Sequence, residues 1–274
     1  MNELPSNSVS HELEMERSNY PGDDALFGEL FAAEDRHFWF AARNKVIAAA
    51  LRRLTPSLQQ GYRVLEIGSG TGNVLRVLET ICGSGNVVGM DLFSGGFRYA
   101  QKRTRCALVQ ADMYASPFGS QFDVVGMFDV IEHLADDLAA LRQAGRLLRP
   151  KGRLLLTVPA HMRLWSYADQ FAGHCRRYDK RELVQKLNAA DFEVEYVTHF
   201  MAALLPILYL GRRLAPWAHR KLTKSPREMF LDELRPVPVL NDVLRWILEL
   251  EAIPVGAGLT LPFGASLLAV ASTR

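Results

Sequence analysis

The chain has little sulfur chemistry available to it. Its 274 residues include three cysteines, Cys82, Cys106 and Cys175. They are odd in number and widely spaced, which argues against a disulfide framework and against a structural zinc site. A surplus of one charge is also missing, since 32 basic residues face 30 acidic ones for a formal net charge of +2. No global field draws the chain to nucleic acid, so partners have to be argued from local patches. Long hydrophobic runs are absent as well. The most apolar stretch, residues 200–211, is interrupted by Pro206. As a helix it would span roughly 18 Å against a hydrocarbon core of about 30 Å, too short to cross. Residues 1–24 carry Glu3, Glu12, Glu14 and Glu16. They lack the basic start and apolar core of a secretory signal and read as a flexible arm. These absences set the expectation of a reducing, cytoplasmic setting in which any membrane association is peripheral.

What is present is enough apolar material, 49% of the residues, to bury a full α/β core as one elaborated domain. From Tyr62 onward short apolar runs alternate with helical segments, the pattern of βαβ units in a mostly parallel sheet. Strands are expected at residues 62–67, 86–91, 107–112, 122–128 and 153–158, with helices beginning near Gly72, Gly95 and Leu134. The last of these carries Leu134, Leu138, Leu141 and Leu148 at helical spacing and is expected to stop before Pro150, whose ring and missing N–H end a helix. Residues 180–190 read as a further helix, 192–198 as a sixth strand and 266–271 as a seventh. The connection between those two strands is about sixty residues, far beyond ordinary loop lengths, and is expected to be a helical insertion. The organisation expected is therefore an arm (1–24), a helical lid (25–60), a core (61–199), an insertion facing acceptor or membrane (200–260) and a final strand (261–274).

The most informative stretch is Val64-Leu65-Glu66-Ile67-Gly68-Ser69-Gly70-Thr71-Gly72-Asn73, followed by Gly89-Met90-Asp91 and Ala111-Asp112-Met113. An apolar strand runs into a glycine turn that lets a ligand approach the backbone, and a helix then starts with its free N–H groups facing that ligand. A nicotinamide-binding fold also places glycines after a strand, and both cofactor classes would use Asp91 to accept from ribose hydroxyls. The register differs, because the dinucleotide fingerprint would put its third glycine where Asn73 stands, whereas Gly68, Gly70 and Gly72 alternate. This order resembles the motifs of class I S-adenosylmethionine-dependent methyltransferases, and most closely the bacterial type 11/12-like members. The resemblance implies a Rossmann-like seven-stranded sheet, mostly parallel, with its last strand antiparallel. It also implies that Glu66 lies near the methionine ammonium of the cofactor, that Ser69 is among the cofactor-binding residues, and that Asp112 accepts from the adenine amino group while the amide of Met113 faces the ring. A nicotinamide-dependent oxidoreductase and a non-catalytic binding module that keeps the fold stay open as alternatives.

The segment Phe128-Asp129-Val130-Ile131-Glu132-His133-Leu134 matches the family segment under the sulfonium end. Its acids either supply negative charge at a helix start, or hold the methionine end through Phe128 and Asp129, or ligate a divalent cation through Asp129, Glu132 and His133. Three neighbours on one element rarely complete a coordination shell, so no metal is assigned. Ahead of the sheet, residues 34–44 look like the family's N-terminal lid, in which Trp39 excludes water and Arg43 pairs with the cofactor carboxylate. Beyond the fifth strand, residues 159–178 carry a tryptophan-serine, aspartate and histidine-arginine-arginine-tyrosine pattern similar to a bacterial subgroup. His161, His174 and His37 are the candidate general bases. The insertion joins apolar runs to the basic residues Arg212, Arg213, His219, Arg220, Lys221, Lys224 and Arg227. That combination suits either a membrane face with a lipid-like acceptor or a helical cap with solvated charges. O-methylation of a small or lipid-like acceptor is the chemistry expected.

Overall fold

The computed structural model describes residues 24–209 and 225–274. The expected arm, apart from Asp24, and the basic residues from Arg212 to Lys224 lie outside the described residues. Two helices come first, α1 (Asp24–Glu34) and α2 (Phe38–Leu54). The alternating core follows as β1 (Val64–Ile67), α3 (Asn73–Cys82), β2 (Val87–Asp91), α4 (Phe97–Ala100), β3 (Ala107–Gln110) and β4 (Phe122–Phe128). It continues through α5 (Asp137–Leu147), β5 (Leu148–Pro159), α6 (Tyr167–Phe171), α7 (Lys180–Ala189) and β6 (Phe192–Phe200). Helices α8 (Pro226–Glu233), α9 (Pro238–Glu249) and α10 (Ala252–Gly256) then precede β7 (Ser266–Thr273).

The seven strands form one sheet in the order β3-β2-β1-β4-β5-β7-β6. All pairings from β3 to β5 are parallel, and β7 runs antiparallel between β5 and β6. This is the expected Rossmann-like α/β class. The central strands are apolar without alternation because both faces are covered: all four residues of β1 are buried, Glu66 included. Leu65, Ile67, Val125 and Met127 pack into the layer that holds Leu141 and Leu147 of α5 and Leu183 of α7. Val64, Val124 and Leu155 pack into the opposite layer with Ile47 and Leu51 of α2 and Val74 and Leu78 of α3. Each such side chain contributes roughly 1.5–3 kcal/mol through burial.

Three local expectations need correction. The helix expected from Leu134 begins at Asp137, because Asp136 caps it by accepting from the Ala139 amide at 2.9 Å, and residues 131–133 form a separate 3-10 turn. Leu148 leaves the helix and pairs with Phe122 as the first residue of β5; the register shifts before Val124, so Pro150 sits in an irregular stretch where its missing N–H costs no ladder bond. Asp112 does not end β3. It caps the 3-10 turn Met113–Ala115 by accepting from the Tyr114 amide at 2.9 Å.

The chain winds outward from β1 to β3 and then returns to β4 on the other side of β1, so the carboxyl ends of β1 and β4 flank a crevice. Helices α9 and α10 lie against α2, with Leu244, Leu248 and Val255 turned inward and Val239, Val243, Trp246 and Ile253 exposed. Among the described residues no helix is long and apolar enough to cross a membrane.

Candidate active site

The crevice opens into a cavity of about 590 Å³ whose walls come from α1, α2, the turn after β1, the ends of β2 and β4, α6 and α8. Gly68, Gly70 and Gly72 all adopt positive φ, which L side chains resist. A Cβ on Gly68 would stand 2.5 Å from Val130 Cγ2, whereas one on Gly70 would meet nothing within 4 Å. Gly70 thus leaves open space at the cavity wall for a ligand. Asp91, at the end of β2, accepts from the Gly70 amide at 2.7 Å and the Phe93 amide at 2.9 Å. Burial pushes its carboxyl up to about 6 despite those bonds.

Several polar atoms of this wall fit the S-adenosylmethionine assignment. Glu66 Oε2 and Ser69 Oγ are buried, line the cavity and have no hydrogen-bond partner among the described residues. Burial holds the Glu66 carboxyl well above the usual range, with the Arg43 charge opposing; a ligand ammonium beside it would restore its charge and supply the missing donor. Asp112, Met113, Phe128 and Trp39 also line the cavity. Arg43 is committed differently from the expectation. Its Nη1 donates to Asp129 Oδ2 at 2.6 Å, and its guanidinium lies 4.8 Å from the Trp39 ring centroid. Its Nε is buried and has no partner among the described residues, which leaves a donor for a cofactor carboxylate.

The same pairing removes Asp129 from the metal set considered from sequence, because its other oxygen accepts from Thr157 Oγ1 at 3.1 Å. Among the described residues the ligand atoms that converge belong to Glu132, His133 and His174, all within 4.8 Å of one another. These three could hold a cation. Glu132 is fully buried, and burial together with the Asp129 charge keeps its carboxyl well above the ordinary range. Burial pushes the His133 imidazole down to about 3.

The three candidate bases separate cleanly. His37 caps α2: its Nδ1 accepts from the Trp39 amide at 3.2 Å and its Nε2 lies 3.0 Å from the Glu233 carbonyl. His37 lines the cavity, but with one nitrogen accepting and the other donating no lone pair is left for a substrate proton. His161 does not line the cavity. It faces Asp179 at 3.2 Å, stacks on His199 and borders a separate groove with Leu205 and Phe263. His174 does line the cavity, with its Nδ1 2.9 Å from Asp169 Oδ1.

Asp169, the aspartate of the pattern in residues 159–178, was given no role from sequence and is the partner of His174. It is 1% exposed and also accepts from Arg177 Nε at 2.7 Å and the Ser166 amide at 2.8 Å. Burial alone would raise its carboxyl; the His174 hydrogen bond and the Arg177 charge overcome this and hold it at about 2. The spacing Ser166-x-x-Asp169 is a capping-box signature, and the box forms at the start of α6. That signature could have marked Asp169 as fixed and buried. Phe230, Glu233 and Leu234 of α8, which close the cavity from the insertion, carry no comparable signal.

A family model described as a methyltransferase domain matches residues 39–197. The chain belongs to the class I S-adenosylmethionine-dependent methyltransferases. The methyltransferase is 30% identical over 179 residues to a ubiquinone biosynthesis O-methyltransferase of Azorhizobium caulinodans, covering 58% of this chain and 65% of that one. It is 28% identical over 145 residues to the 27-O-demethylrifamycin SV methyltransferase of Amycolatopsis mediterranei, covering 48% and 53%. The aligned part spans less than two thirds of these relatives. Among solved structures it is similar in fold to a methyltransferase from Haloferax volcanii in complex with the Trm112 activator, at TM-score 0.60 and 19% identity, covering 92% of this chain and 95% of that one. A methyltransferase from Thermotoga maritima superposes at TM-score 0.53 and 19% identity, covering 92% and 100%. Membership of this family removes the nicotinamide-dependent alternative.

Proposed function

We propose that the protein transfers the methyl group of S-adenosylmethionine to a hydroxyl of a small or lipid-like acceptor. The observation that carries this reading is the His174–Asp169 pair, which faces the same cavity as the glycine turn. The bound cofactor supplies an already activated methyl group, so the protein's work is to align, exclude water and take a proton. Asp169 fixes the His174 ring and its tautomer, with Nδ1–H donated to the carboxylate. Nε2 is then the basic nitrogen and would take the acceptor's hydroxyl proton. Asp169 stabilises the imidazolium that forms, as in other carboxylate-backed histidine bases. Trp39 and Phe230 help keep this end of the cavity dry.

The acceptor is expected to be largely apolar, because Leu30, Phe38, Leu208, Phe230 and Leu234 line the same cavity. The relatives named for ubiquinone biosynthesis and for rifamycin methylation support O-methylation of such molecules. A relative named as a ubiquinone/menaquinone biosynthesis C-methyltransferase, 32% identical over 129 residues, keeps carbon as a second target atom. The test is mass spectrometry of cell-extract components incubated with protein and S-adenosylmethionine. A gain of one methyl group that is lost in His174→Gln supports the proposal. Cofactor binding without any methylated product would instead support a non-catalytic binding module.

A specific surface feature favours peripheral membrane contact as part of this reading. Val239, Val243, Trp246, Leu250 and Ile253 follow one another at spacings of four and three, and all are exposed, Trp246 by 67%. Such a stripe, in the same insertion as the basic residues from Arg212 to Arg227, suits an anionic bilayer surface on the cytoplasmic side. Flotation with anionic vesicles tests it: binding that is lost in Trp246→Ser/Val243→Ser supports the contact, and absence of binding by the native protein rejects it.

A further inference from the structure

We propose that Arg103, which lines no part of the cavity, is a positioning residue that sets how long the cofactor stays bound. The inference rests on the reading of the cavity as the cofactor site. Helix α1 supplies one wall of that cavity through Leu26, Phe27, Leu30 and its last residue, Glu34. By that reading a cofactor held on the glycine turn would be covered by this helix, and its release would need the helix to lift. Arg103 joins the two. Its side chain is 3% exposed. Its Nη1 donates to the Glu34 carboxylate, to Thr71 Oγ1 at 2.8 Å and to the Thr71 carbonyl at 3.3 Å. Its Nη2 donates to the Phe31 carbonyl at 2.9 Å and to Asp35 Oδ2 at 3.1 Å.

The chemistry of this knot is that of a latch rather than of ordinary core packing. Thr71 lies between Gly70 and Gly72 and donates its own hydroxyl to Glu34, so the cofactor turn and the helix share one carboxylate. The Phe31 carbonyl belongs to the last turn of α1, where backbone acceptors lack helical partners and attract cations. The guanidinium also sits 4.2 Å over the Phe31 ring, a stacking that an ammonium does not reproduce in the same geometry. Losing Arg103 therefore frees the end of α1, leaves Glu34 with the Thr71 hydroxyl alone and strips the Thr71 carbonyl of its Arg103 donor, while Asp91, Glu66 and the glycines keep their positions.

Stopped-flow dissociation of S-adenosylhomocysteine, followed by intrinsic fluorescence, reads this directly. Arg103→Met is expected to raise the off-rate about ten-fold with little change in on-rate, Arg103→Lys to restore part of it, and Glu34→Gln to raise it less than Arg103→Met. Cofactor-dependent protection of α1 from limited proteolysis is expected to weaken in the same order, which a change in global stability alone would not produce. An unchanged off-rate in folded Arg103→Met, or in Glu34→Gln if the methionine variant does not fold, overturns the latch. Asp91→Asn separates the two readings. If it binds as tightly as the native protein, the cavity is not the cofactor site; if it loses binding while Arg103→Met releases at the native rate, only the latch fails.

Discussion

Arg43 Nη1 and Asp129 Oδ2 meet at 2.6 Å in the cavity wall, joining α2 to the end of the fourth strand. Asp129 adopts a left-handed backbone with φ of 55°, a conformation that costs a non-glycine residue of order 1–3 kcal/mol and tends to persist where function needs it. The ion pair helps hold that strained residue under the site.

Asp129→Ala is expected to destabilise the protein by about 3–5 kcal/mol, since it strands a buried guanidinium. Asp129→Asn keeps one acceptor for Arg43 and should lose less than half as much. Urea denaturation of the two variants without cofactor checks the order. Equal losses would show that the pair contributes shape rather than charge.

Asp91 gives a prediction in which stability and binding move in opposite directions. Its folded carboxyl is raised by burial to about 6 from an ordinary value of 3.8. Between those values the folded state binds more protons than the unfolded one, so stability falls as pH rises through this window, and above about 6 the charged group remains a net cost. Asp91→Asn is therefore expected to stabilise the cofactor-free protein at pH 7 by about 1 kcal/mol, once one lost backbone hydrogen bond is set against the relief. Cofactor affinity should drop, and the native protein's affinity should itself decline below pH 6 as Asp91 protonates. Thermal unfolding and calorimetry across pH 5–8 measure both.

The histidines are distinguished by turnover. His174→Gln is expected to lower kcat for a hydroxyl acceptor by about 10² to 10⁴ with little change in cofactor affinity. His161→Gln should leave kcat unchanged, because its ring faces Asp179 and His199 in the separate groove. Equal losses in both variants would return His161 to the site.

The central strands were legible from sequence because they are buried on both faces and read as unbroken apolar runs, and the glycine turn because the register of its glycines is a local signal. The bases were not legible in the same way. His37, His161 and His174 look alike as letters; His37 is set apart because both its nitrogens are engaged, and His161 from His174 because only His174 lines the cavity. Their partners, the Glu233 carbonyl, Asp179 and Asp169, include one that lies 196 residues away. Arg43 shows the same limit. It lines the cavity as expected, but its ion pair with Asp129, 86 residues on, is not a local signal. Tertiary pairing of this sort has no periodicity to betray it.

Gly68 offers a test of how tightly the cofactor turn is built. Its φ of 78° disfavours any L side chain, and a Cβ there would lie 2.5 Å from Val130 Cγ2. Gly68→Ala should therefore carry two separable penalties, left-handed strain of about 1–2 kcal/mol and overpacking of about 1–3 kcal/mol. Val130→Ala removes the methyl that clashes but leaves the backbone strain. The double variant is accordingly expected to recover the overpacking part, so that the second substitution is less harmful in the Gly68→Ala background than in the native one. A double-mutant cycle by urea denaturation measures the coupling. Additive losses would mean that the turn moves to accommodate the alanine, and the close contact with Val130 would then not be what fixes Gly68 in place.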